Sequence, residues 1–321
     1  MNKTLINFDW ILFGSLMGLA GLALYSLNMT ADPAFWYHQA AFVVAGIIGF
    51  ILFSCVPLHL VRQAAWPLYA VILLLMVLVW RIGWKANSVL PDFPYAGIMQ
   101  WALLLVLAYF FSEGEIRDGK RIATALLIVA VPVAVAMRFD VVSAVACILI
   151  AIVAAMAAAQ WRLLAVAIPG LVLFVSGFWF VQADYEKQRI QHWLFDPAAT
   201  HQYGYDFLQA AGDYQFILIG LAILMAVLLI WRMVTITCQT GSRFTFTLCA
   251  GLTFMTGLYL SEEIALTAGT ASFVEMLRYF VVSYDGLAWV GLMAAMGVVM
   301  RVAIESQYCN SRLIKQNRGL Q

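Results

Sequence analysis

Charge is scarce in this chain. Of its 321 residues, 11% are charged, where a soluble globular domain carries about 25%. A surface that poor in charge cannot solvate a separate aqueous domain of any size. Cysteine is also rare. Positions 55, 147, 238, 249 and 309 show neither paired nor metal-type spacing, which leaves no disulfide framework and no zinc site; the five read as packing residues. The sequence holds no Walker loop, no G-x-G-x-x-G opening a helix, no H-E-x-x-H and no Ser/His/Asp spacing of catalytic type. Those absences argue against a nucleotide-driven machine and against the common hydrolases. Nothing points to nucleic acid. No internal repeat is visible, which weighs against an inverted-repeat transporter.

What the chain does have is apolar length. Hydrophobic residues make up 64% of it, gathered into runs near 10–29, 36–58, 64–82, 95–111, 122–137, 141–159, 163–181, 214–231, 245–260 and 280–300. Runs of about 20 residues span a bilayer as helices. The expected fold is therefore all-α: a polytopic transmembrane helical bundle of about ten spans forming one integral membrane domain over 1–321. The first run lacks a small-residue cleavage site and reads as a retained helix. Even parity puts both termini on one side. With the N-terminus cytoplasmic, twelve basic residues fall inside and six outside, the bias of the positive-inside rule. The tail 301–321 holds four basic residues and one acid, and is expected along the inner leaflet. The Gly14-x-x-x-Gly18 spacing with Gly21 suits close helix packing within the chain. Tryptophans such as Trp10, Trp36, Trp84 and Trp101 suit interface anchoring.

The longest polar segment, 182–213, lies outside in this topology. It opens on Asp184-Tyr-Glu-Lys-Gln-Arg-Ile-Gln-His-Trp-Leu-Phe-Asp-Pro197, with three acids, Lys187, Arg189 and His192. The plain reading of these charges is a solvated loop or a helical turn with spaced ion pairs. For Asp213, just before an apolar run, it is a helix N-cap. For Arg138 and Asp140, between two runs, it is snorkelling at the interface, although an ionisable group at a near-membrane turn is also a functional candidate. Glu262, Glu263 and Glu275 read as outer-loop acids, and His38, His192 and His201 as interfacial hydrogen-bonding groups.

Taken in order, these segments resemble the SEDS family of RodA/FtsW-type proteins. The residues that carry the resemblance are Asp9-Trp10 before the first helix, His38-Gln39 in the second, Asp184-Tyr185, Gln188-Arg189-Ile190, Asp196-Pro197, Gly204-Tyr205, and Phe280-Val-Val-Ser-Tyr-Asp-Gly286. The sequence also departs from the family. Arg138-Phe-Asp-Val-Val-Ser143 stands where the family has Gln-Pro-Asp-Leu-Gly-Thr. Phe93-Pro-Tyr-Ala96 lacks the family's glutamate. After Gln209 the family's long Gly-rich outer loop is missing, and Asp213 aligns with its presumed catalytic aspartate without the preceding histidine and threonine.

The resemblance implies a peptidoglycan glycosyltransferase of the bacterial inner membrane. Its substrate would be a lipid-linked glycan precursor, and its partner a class B penicillin-binding protein. Such a reaction needs a carboxylate base on the attacking hydroxyl and positive charge on the departing pyrophosphate. The candidate bases are Asp213 and Asp140, with Asp196 and Asp206 also outside. Arg189, Lys187, Arg138 and Arg278 are the candidate phosphate ligands, arginine being suited by its planar fork. Asp196, Ser283 and Asp285 complete the candidate substrate site. A divalent cation is the alternative source of positive charge, and the cofactor is otherwise open. The eroded motifs keep two other readings in view: a catalytically silent scaffold or regulator of an envelope complex, and a flippase of a lipid-linked precursor.

Overall fold

The computed structural model describes residues 8–30, 33–82, 95–114, 119–137, 141–158, 215–267 and 286–318. Among them the chain is helical, in nine segments. These are α1 (Trp10–Thr30), α2 (Pro33–Cys55), α3 (Leu58–Ile82), α4 (Tyr95–Ser112), α5 (Gly119–Ala136), α6 (Val141–Ala157), α7 (Gln215–Cys238), α8 (Arg243–Thr267) and α9 (Gly286–Arg318). Five are long and apolar enough to cross a membrane, and three more are shorter apolar helices. The expected run at 163–181 and the polar segment 182–213 lie outside the described residues.

The helix ends follow local chemistry. Asp9 caps α1: its Oδ1 accepts the Leu12 N–H at 3.1 Å, and its carbonyl accepts that of Phe13 at 3.1 Å. Pro57 interrupts the expected run 36–58. Its carbonyl accepts the Leu60 N–H, so α3 starts at Leu58, earlier than the apolar run. Ser242 caps α8 through its Oγ and the Thr245 N–H at 3.2 Å. The last run is shifted most. The described part of that helix opens at Gly286 and continues unbroken to Arg318, so the first residues of the tail extend α9.

Two helices contain an internal proline, Pro67 in α3 and Pro132 in α5. Pro132 has no N–H to give to the carbonyl four residues back, that of Ile128. Tyr69 of α3 fills the vacancy, its hydroxyl donating to Ile128 O at 2.7 Å.

Helix pairing rests on small residues at the contacts. Among the described helices, the α2/α9 pair has the most extensive interface. Gly46 faces Trp289 and Met293, Gly49 faces Val290 and Ala294, and Gly297 lies on the backbone of Phe50. Residue numbers rise together along both helices, so α2 and α9 run parallel. Helices α1 and α7 run antiparallel, with Gly18 against Met225 and Asp9 beside Arg232. Of the three glycines in α1, only Gly18 meets a neighbouring helix; Gly14 and Gly21 face open space. Helix α4 is central, buried from Ala102 through Ala108, with α3, α5, α6 and α8 around it.

The outer surface is as apolar as the core. Val44, Ile48 and Leu52 on α2, Leu68, Val71 and Leu74 on α3, and Leu224, Val227 and Val234 on α7 are all exposed. A contiguous surface of this kind is stable against lipid and not against water. Trp10 is exposed, as an interface anchor should be, whereas Trp289 is buried at 2% exposure and belongs to the core. Among the cysteines, Cys147 and Cys249 are buried as expected, but Cys55 and Cys238 are exposed.

Candidate functional site

The bundle has two chemically different ends. One is defined by Phe8 and Phe13 against Phe50, Asp9 beside Arg232, Arg62 over the Tyr109 ring at 5.3 Å and Arg121 over the Phe110 ring at 5.5 Å. All six Lys and Arg residues whose side chains are described, Arg62, Lys120, Arg121, Arg232, Arg243 and Arg301, belong to this end. Helices α2, α4 and α7 finish here, while α1, α3, α5 and α8 start here.

The opposite end is where α6, α7 and α9 begin. The candidate acids flank those starts in the sequence: Asp140 immediately precedes α6, Asp213 lies two residues before α7, and Asp285 immediately precedes α9. Arg138 follows Met137, the last described residue after α5. Asp140, Asp213, Asp285 and Arg138 themselves lie outside the described residues, as do Lys187, Arg189, Asp196, Asp206, Arg278 and Ser283. The helix ends that flank four of these candidates thus lie at the same end of the bundle.

Below that face the bundle buries polar groups. Gln39 on α2 and Gln100 on α4 are 4% and 3% exposed, each within two turns of its helix start. Thr256 Oγ1 and Trp289 Nε1 are buried without a hydrogen-bond partner. Among the described residues no group of His, Cys, Asp or Glu could hold a metal ion.

The charged junction at the first end went unread in the sequence. The Asp9 carboxylate, 2% exposed, pairs through Oδ2 with Arg232 Nε, while the backbone N–H of Asp9 contacts Met300 Sδ at 3.3 Å. One residue thus caps α1, neutralises α7 and touches α9. The signal was available in outline: an arginine within an apolar helix requires a partner, and an aspartate one position before a helix is a natural cap.

Comparison with known proteins follows the same outline. The family model described as cell cycle protein, FtsW/RodA/SpoVE, matches residues 2–215. The chain belongs to this family. It is 23% identical over 308 residues to the peptidoglycan glycosyltransferase MrdB of Escherichia coli strain K12, covering 81% of this chain and 83% of that protein. In three dimensions it is similar to a chain of a peptidoglycan synthase complex that coordinates polymerization and crosslinking. The TM-score is 0.75 at 20% identity, over 93% of this chain and 98% of that one. It is also similar to the rod shape determining protein RodA of Thermus thermophilus, with a TM-score of 0.70 at 20% identity, over 92% and 96% of the two chains. The family match includes the stretch 184–205 that carried the resemblance in sequence. With the apolar exterior, it makes this a bacterial membrane protein.

Proposed function

We propose that this chain polymerises a lipid-linked disaccharide into peptidoglycan glycan on the outer face of the inner membrane. The observation that carries the reading is membership of the FtsW/RodA/SpoVE family, with similarity to a peptidoglycan glycosyltransferase over 81% of the chain. The concentration of described cations at the Asp9 end supports a cytoplasmic location for that end and for both termini. The opposite end, with the starts of α6, α7 and α9, then faces outward. Ten spans follow if 163–181 crosses as well.

In this reading Asp213 or Asp140 accepts the proton of the attacking sugar hydroxyl as the new glycosidic bond forms. Arg189, Lys187, Arg138 and Arg278 take up the negative charge that develops on the lipid pyrophosphate as the old bond breaks. Asp196, Ser283 and Asp285 orient the sugars. A divalent cation is the alternative to the arginines for the leaving group. The similarity to a chain of a peptidoglycan synthase complex supports a crosslinking partner, a class B penicillin-binding protein.

The test is polymer formation from lipid-linked disaccharide by the purified chain with its partner. Asp213→Ala and Asp140→Ala are expected to reduce the rate at least a hundredfold for whichever residue is the base. Full activity in both variants removes the base assignments. A second reading, a silent scaffold, is favoured by one specific observation: Asp213 stands without the family's histidine and threonine. It predicts no polymer from a folded, partner-bound chain under conditions where an ordinary RodA-type protein is active.

A further inference from the structure

The Asp9–Arg232 pair joins two helices that have little else to fix their relative height. Among the described residues, the other buried polar side chains of α1 and α7 are Ser15 and Thr237. Each hydroxyl donates within its own helix at 2.8 Å, Ser15 to Ile11 O and Thr237 to Met233 O, so neither ties α1 to α7. The remaining buried side chains on both helices are leucine, isoleucine, alanine or methionine. Where Gly18 approaches α7 it meets Met225, whose unbranched thioether adapts to several placements. A seam of this kind accepts registers one turn apart, about 5.4 Å.

One buried polar pair decides among such registers. The side chains of Asp9 and Arg232 are 2% and 17% exposed. A slip of either helix would leave two buried charges unpaired, which is far costlier than losing an exposed pair. Asp9 also refers α1 to α9, through its backbone N–H on Met300 Sδ at 3.3 Å.

What is set at Arg232 is felt at the opposite end of the bundle. Helix α7 starts at Gln215, 17 residues from Arg232, or about 26 Å along its axis. Asp213 stands two residues before that start. A helix moves along its axis as a rod, so a one-turn slip would carry its start by about 5.4 Å. A general base works within about 3 Å of the proton it accepts, and a displacement of about 1 Å already costs about a hundredfold in rate.

We propose that Asp9 and Arg232 are positioning residues: as a pair they hold α7 at the height at which its Asp213 end serves the reaction, a role that rests on the glycosyltransferase reading. The informative variant combines Asp9→Asn with Arg232→Met. It keeps an N-cap acceptor, leaves no buried charge unpaired and is expected to unfold at about the wild-type temperature. Nitroxide amino acids replace the exposed Tyr25 of α1 and Val234 of α7, which lie about 25 Å apart along the two helices. Double electron–electron resonance on the full chain in nanodiscs reads the distance between them. Wild type is expected to give one narrow distance, and the double variant a second population displaced by about 5 Å. In polymerisation assays with the crosslinking partner, the unlabelled double variant is expected to show a kcat at least tenfold lower, with KM within about twofold of wild type. An unchanged distance in the folded double variant, with α7 held by apolar packing and its turn to α8 alone, overturns the proposal. A displaced helix with wild-type kcat overturns it equally. Wild type that makes no polymer removes the glycosyltransferase reading and the catalytic role with it, while the distances still decide whether the pair sets the height of α7.

Discussion

Replacing Tyr69 by Phe isolates one hydrogen bond whose importance depends on a proline in another helix. Pro132 cannot donate to Ile128 O, and the Tyr69 hydroxyl, at 2.7 Å, takes the place of the missing amide. Both residues are buried, Tyr69 at 7% and Ile128 at 6% exposure, so water does not replace the lost donor. Interhelical bonds in membranes average about 0.6 kcal/mol and reach about 1.7, because the unfolded state finds other partners. A buried carbonyl left orphaned costs about 1–3 kcal/mol. The expected loss for Tyr69→Phe is therefore about 1.5 kcal/mol, near the top of the membrane range. In a Pro132→Ala background the alanine's own N–H satisfies Ile128 O within α5, and the same tyrosine substitution should cost about 0.5 kcal/mol or less. The coupling, about 1 kcal/mol, is measured by a double-mutant cycle on reversible unfolding in mixed micelles. The cycle cancels the separate packing effect of removing a buried proline. Equal costs for Tyr69→Phe in the two backgrounds would falsify the account of Tyr69 as a substitute for the missing amide.

Other perturbations follow from the packing and the charged junction. Gly297→Ala places a Cβ 2.5 Å from the carbonyl oxygen of Phe50, and should cost about 1–3 kcal/mol by forcing α9 away from α2. Gly291→Ala on the same helix meets nothing within 4 Å and should be neutral or stabilising by up to about 1 kcal/mol; thermal unfolding of the two variants side by side reads the contrast. Asp9→Asn keeps an N-cap acceptor for Leu12 but loses the negative charge that pairs with Arg232. Asp9→Ala loses both, and should be less stable than Asp9→Asn by about 1 kcal/mol; equal stabilities argue against the capping role. Glu305→Gln breaks the Arg301 pair, whose side chains are 23% and 40% exposed, and should change stability by no more than a few tenths of a kcal/mol.

The helices themselves were legible because their cause is local. Apolar runs of spanning length predict α1, α4 and α6 almost to the residue, and an aspartate, a Pro57 or a Ser242 marks where a helix can begin. Where the expected bounds moved, a polar residue had masked helical continuity. Helix α7 runs on past Arg232 to Cys238, and α9 past Arg301 to Arg318, because a charged side chain ends an apolar run without ending a hydrogen-bonded helix. The order of polar segments between the runs was enough to reach the family. The candidate residues follow from that resemblance, and the described residues reach them only through the helix starts that Asp140, Asp213 and Asp285 flank.

Pairing was not legible. In a soluble protein the apolar stripe of a helix shows which face is buried. Here α2 and α4 are apolar all round, and a lipid-facing leucine looks like a core leucine. Only the tertiary structure decides that Gly46, Gly49 and Gly297 bring α2 and α9 together in parallel, or that Gly18 faces α7 while Gly14 and Gly21 do not. The same holds for the polar contacts. Asp9 and Arg232 are 223 residues apart, and Tyr69 and Ile128 are 59 apart. The sequence by itself determined an all-helical, membrane-spanning chain with its described cations at one end, because span length and charge placement are properties of short stretches. The folded bundle decided which helix satisfies another's orphaned carbonyl or unpaired charge, because those partners come together only when distant helices pack.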